Sequence, residues 1–410
     1  MRPIKKVPIL FYPCLPLFLL LMSCGSTSRS ETTTQRVVNS QMLNQQVAES
    51  TGTVTGNSSA RWKAVAVNLP QKENLRVVQF LDLKHGWTAS DEGSLYKTTD
   101  GGLTWARVNI GNTKDAFVSG ISFVDPLTGW IALGKTASNI LNYRENEVWI
   151  MKTGDGGQNW EVQHNEHSVG LSRIVFVNNR EGWAVGIKTT GLRPLHQVHY
   201  VLYTNDQGKS WTDVSGELNR IATDERGRVQ DETTDVWAKT PSKATLLSLR
   251  GKVFETSNGG RNWQQVTALQ DEPLQTCICR LGIADDGNLW VSGGTDGEEG
   301  IWGMLARKDS NNSWSRFKTD GVYFSDAAYL QNNQAIACGS APSGKNLSSR
   351  SDHREGVILH SLDGGRNWEY IYRNAKVKTI NALSLLDSTH AWAVGDDGLI
   401  LRLEYSQQEH

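Results

Sequence analysis

Residues 98–105 read TTDGGLTW, and the same octapeptide returns as TGDGGQNW at 153–160, TNDQGKSW at 204–211 and SLDGGRNW at 361–368. All four fit S/T-x-D-x-G-x-x-W. TSNGGRNW at 256–263 replaces the acid by Asn258, and RKDSNNSW at 307–314 keeps Asp309 and Trp314 but loses the hydroxyl residue and the glycine. Trp105, Trp160, Trp211, Trp263, Trp314 and Trp368 follow one another at intervals of 55, 51, 52, 51 and 54 residues, the spacing of a repeated supersecondary unit. The octapeptide has the chemistry of a hairpin turn. The carboxylate of Asp100, Asp155, Asp206, Asp309 or Asp363 accepts hydrogen bonds from the turn's own N–H groups, glycine supplies positive φ, and the hydroxyl bonds locally. The Trp then opens the next strand and buries its ring against a neighbouring unit. An acid that recurs in step with the fold reads as a building device rather than a catalytic carboxylate or a calcium ligand.

Around each turn the same order of strands is expected. In the first full unit, residues 75–81 alternate, 86–90 open with Gly86-Trp87, and 94–99 and 105–108 flank the turn, which makes a four-stranded meander. The second-strand pattern recurs at Gly129-Trp130, Gly182-Trp183, Leu289-Trp290, residues 334–339 and Ala391-Trp392; in the fourth unit residues 245–249 take that place without a Trp. The last unit supplies three strands, at 377–386, 390–395 and 399–403, and the chain then ends without a turn box. Residues 61–67 (RWKAVAV) look like the Trp-led fourth strand of a unit with no beginning. Joining the two halves closes a ring, which removes open sheet edges. The expectation is an all-β, seven-bladed β-propeller, its last blade closed by the two chain ends.

The composition agrees with this and excludes other classes. Among 410 residues there are 39 Gly, 15 Trp and only 10 Pro, a profile of short strands and tight turns. Lys and Arg (42) balance Asp and Glu (43) without a basic block, which argues against a nucleic-acid partner held by phosphate contacts. HExxH, Walker A and GxSxG motifs are absent. Residues 1–23 have the basic end and apolar run of an export signal, ending Leu21-Met22-Ser23-Cys24, which resembles a bacterial lipobox with Cys24 as the lipidated anchor. An ordinary cleaved signal and an uncleaved anchor helix are the alternatives. Residues 24–59, rich in Ser, Thr, Gln and Asn, read as a flexible polar tether, 60–405 as the propeller, and 406–410 as a tail. Cys277, Cys279 and Cys338 permit at most one internal disulfide and match no metal-site spacing. No metal and no cofactor is expected.

Taken together, the boxes and the Gly-Trp strands resemble the Asp-box (BNR) propellers, and most of all the photosystem II assembly and stability factors. The opening of that family, W-x-x-V…LP…NL-x-x-V-x-F…GW…G-x-L-x-K-T-T-D-G-G-x-T-W, is met by Trp62, Val65, Leu69-Pro70, Asn74-Leu75, Val78, Phe80, Gly86-Trp87, Gly93, Leu95 and residues 97–105. The resemblance extends over about residues 61–405 and implies a non-enzymatic protein that binds newly made photosystem subunits, with a membrane-tethered position on the periplasmic or lumenal side. A glycan-binding or sialidase-like glycosidase propeller is the alternative. The sialidase Phe/Tyr-Arg-Ile-Pro tetrapeptide does not occur in the chain.

Strand parity locates a working face. In such a meander the box turns lie on one side of the disc, while second-to-third connections and crossings between blades lie on the other. The long segments 135–147, 187–199, 213–232, 294–300 and 340–355 all fall on that other side. Segments 187–199 and 213–232 are neighbours and carry Arg193, Arg220, Arg226 and Arg228, proposed to dock a partly acidic protein client, with the protein acting as a monomer. The competing reading is a solvated loop of mixed charge, since Asp213, Glu217, Asp224, Glu225, Asp231 and Glu232 are interspersed.

Overall fold

A computed structural model of the chain describes residues 48–55, 62–69, 71–111, 116–137, 140–192, 195–222, 232–268, 277–283, 287–297, 300–308, 313–329, 333–343 and 354–405. Cys24, the export signal and Asp309 lie outside them. Seven antiparallel four-stranded blades follow one another, with first strands Leu75–Phe80, Ala116–Phe123, Val169–Phe176, Thr233–Thr240, Cys277–Ile283, Tyr323–Tyr329 and Ile380–Leu385. Each first strand packs on those of its two neighbours, and the seventh packs on the first, so these strands form the inner ring of a closed β-propeller. Closure comes from Trp62–Asn68, which runs antiparallel to Leu399–Tyr405 with Trp62 opposite Tyr405 and Asn68 opposite Leu399. Trp62–Asn68 is therefore the fourth strand of blade 7.

The turn boxes hold themselves together. In blade 2, Gly157 N–H donates to Thr153 Oγ1 at 2.9 Å, Asn159 N–H donates to Asp155 Oδ1 at 2.9 Å, and the Thr153 hydroxyl donates to the same carboxylate at 2.9 Å. The pattern repeats at Asp100, Asp206 and Asp363, and with the Asn258 amide oxygen in blade 4. Hydrogen bonds from the Thr104 hydroxyl and backbone take the Asp100 carboxyl down to about 2, and those from Asn159 do the same for Asp155. The glycine two residues after the Asp or Asn has φ between 80° and 94° in the boxes of blades 1, 2, 3, 4 and 6, a region a side chain rarely tolerates.

The ring that crosses between blades is a different tryptophan from the one expected. Box residues Trp105, Trp160 and Trp211 lean edge-on against the Phe that ends their own blade's first strand. The other face of each Phe is covered by the second-strand Trp of the preceding blade: Trp392 on Phe80 at 3.7 Å, Trp87 on Phe123 at 3.9 Å and Trp130 on Phe176 at 3.5 Å, all nearly parallel. Two of these indoles also donate N–H to a carbonyl in the next blade's box, Trp392 to Gly101 at 3.0 Å and Trp130 to Gln207 at 3.1 Å. Trp183 meets the blade 4 box through Trp263, and Trp290 shares a core cluster with Trp368 of the blade 6 box. Second-strand Trp and next-blade box thus form one contact, held by stacked rings and, at Trp392 and Trp130, by an indole hydrogen bond.

Where the box fails, the Trp is replaced. Blade 4, which precedes the degenerate box of blade 5, has Thr245, and blade 6, which precedes the boxless blade 7, has Ile336. Both stand at the position of Trp87: Trp87 pairs with Gln79 across the sheet, Thr245 with Trp237, and Ile336 with Ala328.

Two segments differ from the expected loops. Residues 187–199 are a protruding hairpin, since blade 3 pairs Ile187 with His199 and continues to Leu192 opposite Leu195. Within the stretch read as a polar tether, Ala48–Thr55 forms a strand parallel to the outer strands of blade 5 and blade 6, joining both into one nine-stranded sheet. Its composition gives no hint of this, because a strand added to exposed edges is held by backbone groups and needs no apolar face.

Candidate functional site

The face opposite the boxes carries the channel mouth and the protruding segments. Every first strand has a register shift near its start, on this side, around Arg76, Ser119, Ser172, Thr234, Cys279, Ser325 and Asn381. Such a bulge re-aims the next residue. In blades 3 to 6 those next residues are Arg173, Asp235, Arg280 and Asp326, alternating in charge around the inner ring. Arg173 lies 3.4 Å from Asp235, and Arg280 lies 3.8 Å from Asp326. Each acid also accepts a backbone N–H from the following blade, Asp235 from Leu281 at 3.0 Å and Asp326 from Leu383 at 3.0 Å. Burial pushes the Asp326 carboxyl up, with Arg280 opposing the rise. These ions are used to stitch first strands together.

The rim is similarly paired. Arg76 bridges Asp91 at 2.8 Å and Asp396 at 3.4 Å, Asn381 donates to Asp396 at 3.0 Å, Lys188 meets Glu166 at 3.0 Å, and Arg373 grips Glu355 through Nε at 2.8 Å. Burial raises the Asp396 carboxyl against the pull of Arg76. Among the described residues no group of three or more His, Cys, Asp or Glu is placed to hold a metal ion.

Of the four arginines singled out from the sequence, only Arg220 lies among the described residues; Arg193, Arg226 and Arg228 lie outside them. Arg220 is on the helix Gly216–Ala222, between blades 3 and 4. Leu218 and Ala222 bury one side of this helix, and Asn219 clamps His199 by donating to its carbonyl at 3.0 Å and accepting its N–H at 2.8 Å. That leaves Arg220 in solvent, paired with Glu217 at 2.6 Å. His199 is 1% exposed, bonds Thr233 Oγ1 at 2.6 Å, and burial takes its imidazole down to about 4. Cys338 is a buried free thiol that burial pushes well up; the side chains of Cys277 and Cys279 lie outside the described residues. The inner-ring charges were not anticipated. Their signal was available, since Arg173, Asp235, Arg280 and Asp326 each stand three residues before the position that Phe176 occupies in blade 3.

Comparison with known proteins adds the family. The model of the family described as photosynthesis system II assembly factor YCF48 matches residues 54–147 and 143–274, together just over half of the chain. A photosystem II assembly lipoprotein Ycf48 from Synechococcus sp. (strain CC9902) is 25% identical over 357 residues, covering 84% of this chain and 89% of that one. A chloroplastic photosystem II stability/assembly factor HCF136 from Arabidopsis thaliana is 24% identical over 336 residues, covering 77% and 72%. These relatives are named as assembly factors, not enzymes. Among solved structures, a YCF48 bound to D1 peptide aligns with TM-score 0.58 at 20% identity over 86% of this chain and 99% of that one. A GH74 xyloglucanase from Xanthomonas campestris aligns with TM-score 0.59 at 16% identity, over 83% and 53%. At these identities the solved structures speak to the fold alone. With the family model spanning the closing strand and the first four blades, the chain belongs to the photosynthesis system II assembly factor YCF48 family.

Proposed function

We propose that this protein is a non-enzymatic assembly factor that holds a polypeptide client of photosystem II on the propeller face opposite the turn boxes. The family match carries the reading. The solved structure of YCF48 bound to D1 peptide supports it, as a similar propeller that holds a peptide. In this reading the rim pairs around Arg76, Lys188 and Arg373, with Arg193, Arg220, Arg226 and Arg228, meet an acidic client segment. Cys24 carries a lipid that keeps the propeller at the lumenal or periplasmic membrane surface, as the name of the Synechococcus lipoprotein suggests by analogy.

Affinity purification from native membranes tests it. Reaction-centre subunits enriched with the wild-type protein, and lost when the four arginines are reversed to Glu together, are the expected result. Capture of those subunits at background level by the wild-type protein overturns the reading, as does turnover of β-glucans or sialosides by the purified protein. Undiminished capture by the fourfold variant removes the arginines from it.

A further inference from the structure

The boundary between blades 4 and 5 is built unlike the others. Trp237, Thr245, Glu255 and Gln264 form the cross-strand row of blade 4 that faces blade 5, the row in which blade 1 has Gln79, Trp87, Lys97 and Ala106. Thr245 is smaller than the indole found elsewhere, while Trp237 beside it packs with Ile283, Leu289 and Trp314 in one core cluster, and Ile283 stands where Phe80, Phe123 and Phe176 stand in blades 1 to 3. A cleft of about 630 Å³ lies at this boundary, with Thr245, Ile283, Leu289, Trp237 and Trp263 among its lining residues.

Its rim is cationic. Lys239 and Lys243 flank the first turn of blade 4 and are exposed, and among the described residues neither forms an ion pair. Lys308, from blade 5, lies 3.9 Å from Glu255. Three ammonium groups and one carboxylate line a partly apolar cleft with room for an aromatic ring. Aromatic anchors in desolvated pockets dominate polypeptide recognition, and surrounding charges select and steer the segment that carries them.

We infer that this cleft is a docking site for a partner polypeptide that presents an aromatic side chain flanked by carboxylates, the ring entering the space left by the missing tryptophan. The site lies on the face opposite the loop rim. It rests on the client-binding reading, to which it adds a second point of attachment and a partner chemistry.

The probe is a fluorescein-labelled peptide Gly-Asp-Glu-Trp-Glu-Asp-Gly, with the same peptide carrying Ala in place of Trp, titrated with the purified full chain and followed by anisotropy. Burying the ring is expected to make the Trp peptide at least about tenfold tighter than the Ala peptide. T245W, which restores the residue found at the equivalent position of five other blades, is expected to reduce the Trp peptide to the Ala level. K239E/K243E, at two exposed positions, is expected to weaken both peptides. Equal affinity for the two peptides in the wild type, or wild-type affinity in T245W with a native circular dichroism spectrum, overturns the cleft. Should T245W not fold, undiminished binding by K239E/K243E overturns it instead. Loss of the cleft with reaction-centre capture intact leaves the assembly role standing, whereas loss of capture with peptide binding intact removes that role alone.

Discussion

Replacing Trp130 by Ala tests the contact that holds one blade to the next. Its indole is 0% exposed, stacked on Phe176 of blade 3 at 3.5 Å and 7°, with its N–H on the Gln207 carbonyl of the following box. Truncating a buried Trp to Ala costs about 3–5 kcal/mol, combining lost transfer energy with the cavity left behind. The upper part of that range is expected here, because the stacked Phe176 also loses a partner worth about 1 kcal/mol. The hydrogen bond to the part-buried Gln207 carbonyl adds about 1 kcal/mol. W130F separates the two effects: it keeps a ring over Phe176 but loses the donor and the second ring, and should cost about 1–2 kcal/mol. Urea unfolding followed by far-ultraviolet circular dichroism at pH 7 reads both. A W130A protein within about 1 kcal/mol of wild type, or W130F as damaging as W130A, would refute the role given to stacking.

The Thr98 hydroxyl, 2% exposed, accepts Gly102 N–H at 2.9 Å, so Thr98→Val strands that donor and should cost about 2 kcal/mol, while Thr98→Ser restores most of it by the same unfolding assay. His199 and His360 have imidazoles taken down to about 4 by burial, so the unfolded chain binds their protons first and stability should fall as pH drops from about 6.5 to 4, by about 3 kcal/mol for His199. H199N should flatten that slope, and a profile unchanged in this window would contradict the assignment. The box carboxyls, held below their ordinary range, contribute above pH 4 and are lost only as pH falls toward 2. Deleting residues 1–68 leaves blade 7 with three strands and Leu399–Tyr405 as an open edge, so the product should aggregate on size-exclusion chromatography; a monodisperse, stable product would argue that closure is dispensable.

The ring of blades was legible because its determinants are periodic: a Trp and an acid recurring every fifty-odd residues survive any local ambiguity of strand boundaries, and Trp62 falls near enough to the same phase to reveal the closing strand. What escaped was non-periodic or backbone-borne. The inner-strand bulges insert one residue into an alternating pattern and so hide Arg173, Asp235, Arg280 and Asp326 from a period-two reading. The protruding hairpin of blade 3 carries Lys188, Thr189, Thr190 and Gly191, residues that read as loop although the backbone pairs through most of them. The strand at Ala48–Thr55 offers no side-chain pattern at all, because its partners are the peptide groups of two blade edges.

The sequence also presented the missing Trp at residue 245 and the decayed box at 307–314 as two unrelated lapses, and the fold sets them in adjacent blades, at one boundary. Blade 6 is the independent check. There the Trp position holds Ile336 and the facing blade has no box, so the two losses again occur together. Yet that boundary is filled: Ile336 lies in a core cluster with Ile380, Leu401 and Trp62, and Trp62 packs edge-on against His360 and Tyr405. Loss of the Trp-to-box contact therefore does not by itself leave a hollow, because neighbouring apolar side chains can close over it at little cost in packing. At blades 4 and 5 Trp237, Ile283, Leu289 and Trp314 also pack in one cluster, yet a cleft lined by Thr245 and three lysines remains. That difference between two boundaries with the same deficit is what marks the blade 4/5 cleft as a site rather than a flaw in packing.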